Sequence, residues 1–169
     1  SLKSVPAGLF ANNHKVTNFQ SAFSKTAIQS VPADLFAGCG KVTTFMSCFT
    51  GCSELQSVPA ELFKSSGAFT TVTKTAFNNI FKDCTSLTEV PAGLFDGFTL
   101  VTAFNDAFNG CASLTTLPAG LFATNTAVTS FTNVFKDCTS LKSIPEGVLG
   151  GLSKVTSFSG LFAGCTGLE

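Results

Sequence analysis

The sequence predicts a repeat solenoid in which six coils of about 27 residues form one domain over residues 1–169, and three observations carry that prediction. Pro6, Pro32, Pro59, Pro91, Pro118 and Pro145 are separated by 26, 27, 32, 27 and 27 residues. Cys84, Cys111, Cys138 and Cys165 keep the same interval of 27, with Cys52 one longer unit earlier. Finally, each unit is too short to cover its own Leu, Phe and Val, so neighbouring units have to stack and share one continuous core.

Each unit begins with Val, Ile or Leu, followed by Pro-x-x-[Leu/Val]-[Phe/Leu], five variable residues, Val-Thr-x-Phe, three residues and Phe-x-x-Cys-x-x-Leu, seen in full from Ile144 to Leu168. The other copies start at Val5, Val31, Val58, Val90 and Leu117. The Pro-led segment, with Asp34 and Glu61 variants, reads as a single helical turn, since proline suits a first helical position and acid suits an N-terminus. A second helical turn is expected at Phe-x-x-Cys. It ends on Gly51, Asp83, Gly110, Asp137 or Gly164, residue types that tolerate a left-handed conformation. Val-x-x-Phe and Leu-x-x-Val place two apolar groups three apart, which fits a short extended arc. Equivalent arcs are expected to pair in parallel about 4.8 Å apart, so that each column becomes a ladder of like side chains. Phe19, Phe45, Phe104, Phe131 and Phe158 form one such ladder in this reading. The first copy carries Thr26 in the cysteine column, and the third carries five extra residues within Lys64 to Ala76.

Composition narrows the function. The chain is 44% apolar and 12% charged, with ten Lys against ten acidic residues and no Arg. Without arginine it lacks the usual bidentate reader of phosphates and bases, so nucleic acid is not an expected partner. No apolar run approaches the roughly 18 residues of a membrane span, and no basic-then-apolar signal segment opens the sequence. All nineteen aromatic residues are Phe, which has no polar handle and reads as core filling.

The repeat, written for example as Phe-Lys-Asp-Cys-Thr-Ser-Leu-Lys-Ser-Ile-Pro at 135–145, resembles the BspA-like leucine-rich repeats of bacterial surface proteins and the related bacterial surface 26-residue repeat. The resemblance covers the whole chain. It implies a leucine-rich-repeat-like solenoid from an extracellular or cell-surface protein of a host-associated microbe, used in adhesion or recognition. It supplies no catalytic residue.

The residues themselves point the same way. Cysteines of one ladder leave adjacent coils in the same direction, a poor approach for a disulfide, and a reduced Cys is a good small buried hydrophobe. Cys39, Cys48 and Cys52 with His14 could supply four ligands, yet their spacing matches no zinc signature, and no metal or cofactor is expected. No third group orients a Cys–His pair, so the chain is not expected to be an enzyme. The column Thr17, Thr43, Thr102, Thr129 and Thr156 reads as strand-favouring surface. The positions after each Leu vary most, and Lys3, Gln56, Thr88, Glu89, Thr115, Thr116 and Lys142 form the candidate interaction surface, because solenoids bind through variable columns. The expected partner is a protein or glycoconjugate. Ser1-Leu2 begins where Gly167-Leu168 leaves off. Leu2 and Leu168 therefore mark end faces without polar caps, and two expectations follow: a segment excised from a longer array, or head-to-tail self-association as a spacer or filament unit.

Overall fold

A computed structural model describes residues 2–169. The backbone winds through six coils in the register of the repeat: coil 1 over 5–30, coil 2 over 31–57, coil 3 over 58–89, coil 4 over 90–116, coil 5 over 117–143 and coil 6 over 144–169. Each coil has a Pro segment, a Val-Thr arc, a Phe–Cys ribbon and a Leu arc.

The coils are joined by main-chain hydrogen bonds in three places. In the Val-Thr arc, amides donate back to the preceding coil, as in Thr43 to Thr17 (2.8 Å), Thr73 to Thr43 (2.7 Å) and Thr129 to Thr102 (2.8 Å). The Leu arc does the same once per coil, from Gln56 to Gln29 (3.0 Å) through Lys142 to Thr115 (3.2 Å). The arcs pair in parallel as expected, but only as isolated bridges, such as Asn18 with Thr44, Ala103 with Ser130 and Ser130 with Ser157. An arc of two or three residues turns away before a continuous strand ladder can build up.

The two expected helical turns are not what the chain forms. In the Pro segment, successive turns close through bonds such as Leu35 N to Pro32 O, Ala37 N to Asp34 O and Cys39 N to Phe36 O. Where glycine stands third, at Gly8, Gly93, Gly120 and Gly147, φ lies between 64° and 80°, which a right-handed helix excludes. In the Phe–Cys ribbon, left-handed residues recur every four positions, as at Ser47 (φ 57°) and Gly51 (φ 72°). Alternate amides close local turns, Cys48 N to Phe45 O and Thr50 N to Ser47 O. Those between them reach the following coil, Ser47 N to Asn78 O and Phe49 N to Ile80 O. A helix would spend every amide within its own coil, whereas this ribbon shares them between local turns and stacking. The one helix among the described residues is a 3-10 turn at Lys64–Ser66, inside the insertion.

The core consists of three phenylalanine ladders. Phe19, Phe45, Phe77, Phe104, Phe131 and Phe158 stack with ring centroids 5.7–6.2 Å apart. Phe77 takes the place of coil 3, because the extra residues of that coil fall before it. Phe23, Phe49, Phe81, Phe108, Phe135 and Phe162 stack at 5.5–5.6 Å. Phe10, Phe36, Phe63, Phe95 and Phe122 form the third ladder at 5.8–6.3 Å. Rings of the third ladder sit tilted against the first, as for Phe36 and Phe45 at 4.9 Å, so the rings interlock across coils as well as along them. The insertion is sealed by Phe69, which packs on Phe98 at 5.0 Å.

Candidate interaction surface

The predicted surface residues do come together. Lys3, Gln56, Thr88, Glu89, Thr115, Thr116 and Lys142 are all exposed. Lys3, Gln29, Gln56, Thr88, Thr115 and Lys142 form a continuous column along the Leu arc, each amide after the first bonded to the carbonyl before it. Their side chains leave the solenoid because the flanking residues, such as Leu55 and Val58 or Leu114 and Leu117, hold the inward positions. The hydroxyls are partly committed, since those of Thr88 and Thr115 donate to the carbonyls of Gln56 and Thr88, both at 3.3 Å. The threonine column of the Val-Thr arc behaves likewise, with Thr43, Thr129 and Thr156 donating to the preceding carbonyl.

The structure adds a second face, on the Phe–Cys ribbon of coils 3 to 5. Asn78, Asn79, Lys82 and Asp83 stand beside Asn105, Asp106 and Asn109, and these beside Thr132, Asn133, Lys136 and Asp137. Asn79, Asp83, Asp106, Asn133 and Asp137 are left-handed, with φ of 56–59°, a region that Asn and Asp enter more readily than other non-glycine residues. Asn78 accepts the amide of Asn105 (3.0 Å), and Asn105 accepts the amide of Thr132 (3.2 Å) and the Ser130 hydroxyl (3.0 Å). Sequence reading passes over this face because the bonds that join Asn78, Asn105 and Thr132 run from one coil to the next, and no local pattern encodes them. The asparagine content of the ribbon is the signal that could have exposed it.

The cysteine ladder points inward and is buried except at Cys165, which is half-buried. Cys52, Cys84, Cys111, Cys138 and Cys165 each donate a thiol to a Phe carbonyl of the preceding coil, at 2.9–3.3 Å. Thr26 fills the same column by bonding Phe23 O within its own coil at 2.8 Å. Burial pushes the Cys138 thiol up to about 12 and raises the thiols of Cys48, Cys84 and Cys111 well above their ordinary range. Such thiols are held protonated and unreactive. His14 lies on an exposed loop with Nδ1 3.1 Å from Gly38 O, whereas Cys48 and Cys52 are fully buried. Among the described residues no three His, Cys, Asp or Glu side chains gather as metal ligands do.

At the ends, Leu2 is 48% exposed and Leu168 partly buried. The amides of Phe158, Gly160, Phe162 and Gly164 have no partner among the described residues, nor do the carbonyls of Asn18, Gln20, Ala22 and Ser24 in coil 1. In internal coils these groups bond to each other.

Six coils stacked through parallel bridges around a Leu, Val and Phe core define a leucine-rich-repeat solenoid. No family model and no curated protein matches the chain. Solved structures do. A chain of the Toll–Spatzle complex of Drosophila is similar at TM-score 0.63 with 23% identity, over 90% of this chain and 18% of that one. The glycosylated form of the complex is similar at TM-score 0.50 with 24% identity, over 84% and 18%. A leucine-rich repeat protein of Eubacterium ventriosum is similar at TM-score 0.40 with 16% identity, over 81% of this chain and 40% of its own length. The likeness is one of fold. The chain spans less than a fifth of the matched chain of the Toll–Spatzle complex and two fifths of the bacterial protein. No described helix is long and apolar enough to cross a membrane.

Proposed function

We propose that this solenoid is a non-enzymatic interaction module of a microbial cell-surface or secreted leucine-rich repeat protein, with adhesion to a protein or glycoconjugate as its role. The observation that carries this reading is the column of exposed, variable side chains at Lys3, Gln56, Thr88, Thr115 and Lys142, with Glu89 and Thr116 beside it, on a backbone held by one hydrogen bond per coil. A rigid scaffold that varies on one outward column is how solenoids recognise partners. The chain of similar fold in the Toll–Spatzle structure is itself part of a protein complex. The test is binding of the labelled chain to intact host cells and to immobilised matrix proteins, beside a Thr88→Arg, Thr115→Arg variant of unchanged thermal midpoint. Loss of binding in the variant supports this surface. Equal binding removes it, and no binding by the parent removes the adhesion reading.

A second reading is end-to-end stacking into a structural spacer or filament, through the kind of joint that links internal coils, such as Ser47 N to Asn78 O and Phe49 N to Ile80 O. Light scattering over a wide concentration range decides it. Mass that grows with concentration, and stops growing with Leu2→Asp or Leu168→Asp, supports stacking, whereas a constant monomer mass rules it out.

A further inference from the structure

We propose that the ribbon face of coils 3 to 5 binds a linear, uncharged oligosaccharide, with the side-chain amides of Asn78 and Asn105 as its fixed donors and Asp106 as an acceptor. This rests on the interaction-module reading and specifies a partner class and a face other than the Leu arc.

The carboxamides are immobilised. A backbone N–H can donate only to oxygen, so the bond from Asn105 N fixes which atom of Asn78 is Oδ1, and the bond from Thr132 N does the same for Asn105. With the oxygens pinned, each Nδ2 presents its N–H groups in a set direction, and neither Nδ2 has a partner among the described residues. Asn109 Nδ2 donates to Asp106 Oδ1 at 2.7 Å, which orients that carboxylate and leaves its second oxygen without a hydrogen-bond partner among the described residues. Donors and acceptors already locked in place lose little entropy on binding. The hydroxyls of the Leu arc, by contrast, are already bonded to main-chain carbonyls at Thr88 and Thr115.

Spacing and chemistry select the ligand. Asn78, Asn105 and Thr132 repeat once per coil, about 4.8 Å apart by the usual spacing of paired backbones. A pyranose unit in an extended chain advances by a similar length, so successive sugars would meet successive coils. Lys82 and Lys136 against Asp83, Asp106 and Asp137 leave the face near neutrality, unsuited to a polyanion. It also carries no exposed aromatic or large aliphatic side chain, the anchor expected at the centre of a protein–protein contact. Without a stacking ring, affinity per site is low, with a dissociation constant of about 1 mM.

Asn78→Asp and Asn105→Asp discriminate between support and recognition. Aspartate keeps the oxygens that accept the backbone amides but lacks the NH2 donors. The 15N-labelled chain is titrated with the hexasaccharides of β-1,4-linked glucose, mannose and N-acetylglucosamine, with dextran sulfate and a soluble polypeptide as controls. The expected result is selective shifts of the Asn78 and Asn105 side-chain amides with at least one hexasaccharide, weakened about tenfold or more in the double variant at unchanged thermal midpoint. If that variant does not fold, Asn105→Thr, which repeats the residue of coil 5, is expected to weaken binding by severalfold. The proposal is overturned if no hexasaccharide shifts these amides, if shifts fall on the Leu arc, if only a control binds, or if a folded variant binds as well as the parent. Cell adhesion that survives the double variant while no hexasaccharide binds overturns this inference alone and leaves the interaction module standing.

Discussion

Phe131 shows what one ring contributes. It is fully buried, stacked between Phe104 at 6.2 Å and Phe158 at 6.1 Å, and set against Phe122 at 4.9 Å. Phe131→Ala is therefore expected to lose about 3–5 kcal/mol in urea unfolding, because rigid neighbours on three sides cannot close the cavity. Cys111 makes a smaller and more specific contribution. Its thiol bonds Phe81 O at 3.2 Å, and Thr26 shows that a hydroxyl is accepted in the same column. Cys111→Ser should stay within about 1 kcal/mol of the parent, while Cys111→Ala should lose about 1–2 kcal/mol, since the carbonyl loses its second donor and a small void opens. An equal loss in both variants would show that volume alone matters at this position.

At the scale of the element, the Phe–Cys ribbon depends on an alternation across coils. Its last left-handed column reads Lys25, Gly51, Asp83, Gly110, Asp137, Gly164, with φ from 58° to 78° throughout. A side chain on one coil lies across the glycine of the next, as the carboxylate of Asp83 does over Gly110. Lys25→Gly is expected to be neutral or stabilising within about 1 kcal/mol, because glycine meets the left-handed backbone without a Cβ penalty. Gly110→Lys should destabilise by about 2 kcal/mol or more, since it adds that penalty and displaces Asp83. A thermal midpoint that holds or rises in Lys25→Gly and falls in Gly110→Lys would check these expectations.

At the scale of the whole molecule, the buried thiols make stability sensitive to alkali. Native pKa values raised above the ordinary 9.0, with Cys138 at about 12, mean that the unfolded chain gives up these protons first. Above pH 9 the unfolded state then binds fewer protons than the native one, and stability falls as pH rises. The contribution is fully present below pH 9 and is lost progressively towards pH 12. Urea midpoints taken from neutral pH upward should hold level and then fall beyond pH 9, and Cys84→Ala, Cys111→Ala, Cys138→Ala should flatten that fall. An unchanged slope in the triple variant would place the alkaline sensitivity elsewhere.

The sequence by itself determined the coil count, the register, the Phe and Cys ladders and the exposure of Thr88, Thr115 and Lys142, because a fixed period puts like residues in like places and an apolar unit this short can be covered only by its neighbours. The tertiary structure alone decided how each coil bends. Local preference at Pro-x-x-Leu and Phe-x-x-Cys suggests helical turns, but amides shared between local turns and the next coil favour a ribbon of alternating handedness. It also decided the place of Phe77 and the pinning of Asn78 and Asn105, which depend on bonds between residues 27 apart and on an insertion whose exact path no local pattern encodes.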